Sequence, residues 1–172
     1  MRTRVPSVGG LLRVVGLAGT LAGCLLTVAS LSKTWAVDGP REGVAAPETG
    51  WQHIAYGDVI LLAACVFVAI LATALCVGPP SRRVTRTAGG AALTLLVGAL
   101  AAVAIMYWMA GLDFSFFDSS DELRRFDAGP GYQDAATGLA VASLGMLVLL
   151  AGRWEARTRK ALRREAAAAA AA

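Results

Sequence analysis

Pro79-Pro80-Ser81-Arg82-Arg83-Val84-Thr85-Arg86-Thr87 is the stretch whose reading decides the fold. Two adjacent helix breakers stand beside three arginines and no acid, the composition of a tight basic loop between two membrane spans. Two long apolar segments lie on each side of it. Apolar residues make up 56 % of the 172-residue chain and charged residues 16 %, and the mean hydropathy is +0.60. That is too apolar for a water-soluble domain of this size. The apolar residues fall into four uncharged runs of about 18 to 25, each long enough for a hydrocarbon slab of roughly 30 Å. Four spans are therefore expected, at about 11–31, 59–78, 88–112 and 135–152.

Charge distribution orients them. With the middle turn inside, the cytoplasmic parts hold Arg2, Arg4, Arg13, Arg82, Arg83, Arg86, Arg153, Arg157, Arg159, Lys160, Arg163 and Arg164, and the opposite side holds Lys33, Arg41, Arg124 and Arg125. The acids are distributed the other way, with Asp38, Glu42, Glu48, Asp58, Asp113, Asp118, Asp121, Glu122, Asp127 and Asp134 outside. The lysine and arginine bias places both termini in the cytoplasm. The net charge of +4 is thus a topology signal, and nucleic acid is not an expected partner. The expected fold is an all-α integral membrane four-helix bundle in one domain over 1–165, with two extracytoplasmic loops. A basic helix follows over 153–165, then a low-complexity alanine tail over 166–172.

A basic start before an apolar run also resembles a signal peptide. The run from Val14 to Leu31 is longer than the usual signal core of about 7 to 15 residues, so a retained span is expected. Within it Gly16, Gly19 and Gly23 share one helical face, and Gly19 and Gly23 form a GxxxG pair. Gly138, Ala142 and Gly145 repeat the pattern in the fourth span. The two small faces are expected to meet, or to serve as interfaces with other subunits.

The first outer loop, about 32–57, carries Trp35, Trp51, His53 and Tyr56; its middle reads as irregular, with at most a short strand pair. Trp35, Trp51, Trp108 and Trp154 read as anchors at the headgroup level, where an apolar ring with a polar edge is favoured. Asp58 at the mouth of the second span reads as a helix-start carboxylate complementing the macrodipole. The pattern Ser30-Leu31, Trp35, Gly50-Trp51-Gln52 and Asp58-Val59-Ile60-Leu61-Leu62 resembles the uncharacterised small four-span membrane proteins of high-GC actinobacteria. Where that group has Leu-Pro-Trp, this chain has Lys33-Thr34-Trp35. A looser similarity is to the claudin-like architecture of four spans with a tryptophan-bearing first outer loop, without the paired loop cysteines. The resemblance implies a fold and no activity.

The second outer loop, about 113–134, is acidic and aromatic. Ser119 to Phe126 reads as a helical turn, and Phe114, Phe116 and Phe117 read as a cluster that dips into the interface or meets a partner. Its carboxylates lack the alternating spacing and central glycine of a calcium loop. Arg157, Arg159 and Lys160 read as contacts to anionic lipid headgroups.

The three cysteines, Cys24, Cys65 and Cys76, all fall within spans, and the single histidine, His53, lies elsewhere. No disulfide framework or metal centre is expected, and no cofactor. A nucleophile with its base and a phosphate-cradling loop are also lacking, so the chain does not read as an enzyme. Its spans carry only mild polar groups such as Thr20, Thr27, Thr73 and Thr94, which disfavours an ion or solute pathway. The reading that remains is a non-catalytic accessory or structural subunit of a larger membrane or cell-envelope complex, partnered by lipids and other membrane subunits. The alternative is a small transporter or lipid-binding protein.

Overall fold

The computed structural model describes residues 7–40, 46–53, 57–78, 81–111, 116–117 and 123–171. Four of its helices are long and apolar enough to cross a membrane. They are α1 (Val8–Ser30), α3 (Gly57–Val77), α4 (Arg82–Gly111) and α5 (Pro130–Ala171), and a single turn, α2 (Gly50–His53), precedes α3. Their leucine and alanine content favours helix, and a membrane-crossing segment must satisfy its own backbone groups. Ser7 starts α1 by accepting a hydrogen bond from the Gly10 amide at 3.2 Å. The Asp58 carboxylate accepts from the Val59 amide at 2.7 Å in the first turn of α3.

The helices form a ring in which α1 packs most closely on α5, α5 on α4, α4 on α3 and α3 on α1. The buried centre contains Leu61, Val68, Ala72 and Leu75 of α3, Ala92, Leu96 and Val103 of α4, and Leu139, Ala142, Met146 and Leu149 of α5. Two details differ from the sequence reading near the middle turn and the tail. Arg82, Arg83 and Arg86 belong to the first two turns of α4 and not to a loop, because none of residues 82–87 opposes helix and the prolines precede its start. At the other end α5 runs unbroken through the alanine tail to Ala171, alanine being the best helix former.

The bundle is helical as expected, and the loops between its helices add strands. They form one four-stranded antiparallel sheet, ordered β2-β1-β4-β3, from β1 (Thr34–Pro40), β2 (Ala46–Thr49), β3 (Phe116–Phe117) and β4 (Leu123–Ala128). Within it β1 pairs β2, as Asp38 with Ala46 and Thr34 with Thr49. The same strand pairs β4 from the other loop, Ala36 opposite Ala128 and Pro40 opposite Arg124. Residues 123–126, read as part of a helical turn, are strand because β1 offers them a ladder of backbone partners. The carboxylates Asp118, Asp121 and Glu122 and the serines 119 and 120 lie outside the described residues.

Candidate functional site

Three polar or close-packed assemblies hold the bundle, and each joins elements distant in sequence. The first is the seam between α1 and α5. Gly16, Gly19 and Gly23 face Gly138, Ala142 and Gly145. A Cβ on Gly16 would stand 2.3 Å from the Leu149 amide nitrogen, one on Gly23 2.3 Å from that of Ala142, and one on Gly145 2.3 Å from that of Thr20. On Gly19 the nearest atom would be the Gly145 Cα at 3.3 Å. The seam continues past the limits read from sequence, with Gly9 against Gly152. Gly9, Gly16, Gly23 and Ser30 thus recur every seven residues along α1, as do Gly131, Gly138, Gly145 and Gly152 along α5. A strict seven-residue repeat keeps one stripe facing its partner through a left-handed crossing. Backbones this close gain dispersion and Cα–H···O contacts. The buried hydroxyls of the seam are satisfied locally: Thr20 donates to the Gly16 carbonyl at 2.8 Å, Thr27 to Gly23 at 2.9 Å and Ser30 to Thr27 at 2.6 Å.

The second assembly closes the bundle beneath the sheet. Trp35, read as a lipid anchor, is 0 % exposed, which corrects that reading. The strand register shifts between Thr34 and Ala36, and a bulge at this point re-aims a side chain. The indole Nε1 donates at 2.7 Å to the Ser30 carbonyl at the end of α1, which also accepts from the Lys33 amide at 3.0 Å. Its ring lies 4.6 Å from that of Tyr132, which in turn meets Tyr107 edge-on at 6.3 Å. Gly131 has no room for a Cβ, which would fall 2.1 Å from the Trp35 Cδ1; at Gly50 it would fall 2.8 Å from the indole nitrogen. The Gly129 amide donates to the Trp35 carbonyl at 2.6 Å. Beside this plug Lys33 pairs with Asp134 at 2.6 Å, an exposed contact worth about 1 kcal/mol at most. Trp35→Phe keeps an aromatic ring but removes the buried indole hydrogen bond and leaves the Ser30 carbonyl with the Lys33 amide alone, so a stability loss of about 1 kcal/mol is expected, read as a lower detergent melting temperature.

At the opposite end, beside the basic turn, two arginines from other helices cap α3. This helix has no basic residue in its own last turn, and its final carbonyls carry the negative end of the macrodipole. Arg153 of α5, 1 % exposed, donates to the carbonyls of Leu75 and, at 3.2 Å, Gly78. Its Nε donates to the Thr85 hydroxyl of α4 at 2.8 Å. Arg13 of α1 donates to the Cys76 carbonyl. All four membrane-crossing helices meet in this knot. In the sequence Arg153 and Arg13 look like ordinary charges flanking spans; the burial of Arg153 and the reach of both to the end of α3 are the part that sequence reasoning missed. Cys24 and Cys65, although not spaced as ligands in sequence, are brought within hydrogen-bonding reach of each other between α1 and α3. Among the described residues no group of three His, Cys, Asp or Glu could hold a metal ion.

The remaining expected site residues are scattered. Phe116 and Phe117 form β3, paired with Arg124 and Leu123; Phe114 lies outside the described residues. Trp108 near the sheet end of α4 is 66 % exposed and Trp154 on α5 is 74 % exposed. Trp51 is partly exposed, its Nε1 donating to the Ser32 hydroxyl at 3.3 Å. Arg159 pairs with Glu155 one turn earlier, and Lys160 is exposed. Arg157 lines an open cleft of about 340 Å³ with Arg82, Trp154, Thr158 and Ala161, between the start of α4 and the extension of α5. Compared with known proteins, the chain matches no family model, no curated protein and no solved structure.

Proposed function

We propose that this is a non-catalytic, multi-pass subunit of the plasma membrane that associates with a larger membrane or cell-envelope complex. In this reading the basic turn, α1's start and α5's extension are cytoplasmic, and the sheet lies outside. The observation that carries it is the sheet itself: two loops about ninety residues apart are joined strand to strand instead of connecting spans loosely. Ordering that much backbone outside the bilayer costs roughly 1–2 kcal/mol per residue, and the product is a folded surface bounded by the edge strands β2 and β3. Edge strands offer unpaired backbone groups to a partner. The mild hydroxyls within the spans also support a passive role. Thr20, Thr27, Thr73 and Ser143 each donate to a carbonyl of their own helix, which leaves them poorly suited to line a solute path.

The test is mass spectrometry of what copurifies with the tagged chain from native membranes in mild detergent. A stoichiometric protein partner is expected. Recovery of the chain alone, with a tightly held lipid, would replace this reading with the second one, a small transporter or lipid-binding protein, which the cleft beside Arg82 and Arg157 favours.

A further inference from the structure

We infer that the cleft between the start of α4 and the extension of α5 binds the phosphate group of an anionic glycerophospholipid from the adjacent leaflet. Arg82 reaches the cleft from α4, and Arg157 and Thr158 from α5, with Trp154 on the same wall. No acid lines it. Neighbouring cations are already committed: Arg153 and Arg13 to carbonyls of α3, and Arg159 to Glu155. Arg157 is different. Among the described residues its hydrogen bond, from Nη2 to the Ser81 carbonyl, is long at 3.4 Å. A guanidinium held by one long bond at the wall of a cleft can turn its fork to a phosphate oxygen, which accepts charge-assisted bonds from it.

The volume of about 340 Å³ exceeds a single water's share of about 30 Å³ by enough for a phosphate and part of a headgroup. Free phosphate shares this chemistry; the arrangement along α5 points to the lipid. Leu147, Trp154, Thr158 and Ala161 follow one another along one helical stripe, with Leu147 and Trp154 both exposed. An acyl chain can lie against Leu147. The indole marks the headgroup boundary, and Arg157 and Thr158 stand about one turn, or 5 Å, beyond it, at the level of the phosphate. The inference is independent of any protein partner.

The test uses the purified full-length chain, delipidated in neutral detergent, with phosphatidylglycerol, phosphatidylcholine or inorganic phosphate added. Lipid occupancy is read by native mass spectrometry and stability by thermal melting. Phosphatidylglycerol is expected to bind and raise the melting temperature, while phosphatidylcholine and inorganic phosphate do neither. Arg82→Gln with Arg157→Gln is expected to lower phosphatidylglycerol occupancy about tenfold or more, with the helical circular-dichroism signal unchanged. Arg163→Gln with Arg164→Gln, which removes the same charge from the exposed tail, is expected to keep it. Equal losses in the two double variants, or equal binding of the two lipids, would overturn the site. A stabilisation by inorganic phosphate equal to that by phosphatidylglycerol would overturn the lipid assignment.

Discussion

Gly145→Val is expected to abolish the close packing of α1 on α5 and to remove most of the folded, monodisperse protein from mild-detergent extracts. A Cβ at this position would sit 2.3 Å from the Thr20 amide nitrogen and 2.7 Å from the Gly19 carbonyl carbon. These are backbone atoms of a continuous helix, which cannot rotate aside as a side chain can. The two helices must separate along the whole seven-residue repeat, so the loss lies at or above the upper end of ordinary overpacking, about 3 kcal/mol. Gly98→Val is the control, since nothing lies within 4 Å of a Cβ there. Its expected effect is a helix-propensity gain of a few tenths of a kcal/mol. The measurement is denaturation in a rising mole fraction of sodium dodecyl sulfate, followed by circular dichroism. Gly16→Val strikes the same seam from α1, and the double variant is expected to lose less than the sum of the singles because the damage is shared. If Gly145→Val unfolds at the same mole fraction as Gly98→Val, the seam does not hold the bundle.

Arg153→Met is expected to produce the second large loss. The side chain is 1 % exposed and serves acceptors on α3 and α4 at once. Methionine fills much of the space but donates nothing. The carbonyls at the end of α3 then lie without their charged donor, at a cost of about 1–3 kcal/mol for a buried group left unsatisfied. About 3 kcal/mol in total is expected, together with faster amide hydrogen exchange through the first turns of α4. Arg153→Lys keeps the charge but loses the planar fork that reaches two helices, so an intermediate loss is expected. Arg164→Met, on the exposed extension, serves as the control and is expected to change neither quantity. Equal stability of Arg153→Met and Arg164→Met would show that the knot contributes nothing.

How far the sequence reveals this arrangement depends on the physical origin of each part. The four membrane-crossing helices were legible because length and apolarity suffice to define them. Part of the α1–α5 seam was legible too, since Gly16, Gly19, Gly23, Gly138 and Gly145 announce a small-residue face by spacing. Gly9 and Gly131 escaped notice because they lie outside the limits that hydropathy draws, and Gly152 because it stands at the edge of one, although the seven-residue repeat passes through those limits without interruption. The sheet was legible only in part, as a short strand pair in the first loop, and its junction with the second loop was not. β1 ends in Gly39-Pro40 and β4 carries Arg124-Arg125, weak strand formers whose conformation follows from pairing with each other across the two loops. Trp35 and Arg153 share a different difficulty. Tryptophan and arginine at the ends of spans belong, by the general rule, to the interface and the headgroups. Only the positions of Ser30, Gly131, Leu75 and Thr85, contributed by other elements or turns, show that these two side chains point inward.

The partnership of α1 with α5 also bears on how the protein is made. Thr20 and Ala142, opposite each other across the seam, are 122 residues apart in sequence, so the ribosome delivers α1 long before its main partner. While α3 and α4 are inserted, the glycine groove of α1 must lie open to lipid or to the insertion machinery. The local hydrogen bonds of Thr20 and Thr27 make that wait tolerable, because α1 holds its own polar groups satisfied before any neighbour arrives. The end of α3 has only Arg13 of α1, at the Cys76 carbonyl, until Arg153 emerges midway along α5 to serve Leu75 and Gly78. Closure of this bundle therefore waits for α5, and a chain stalled before it carries an unfilled groove along α1 and carbonyls at Leu75 and Gly78 without their charged donor.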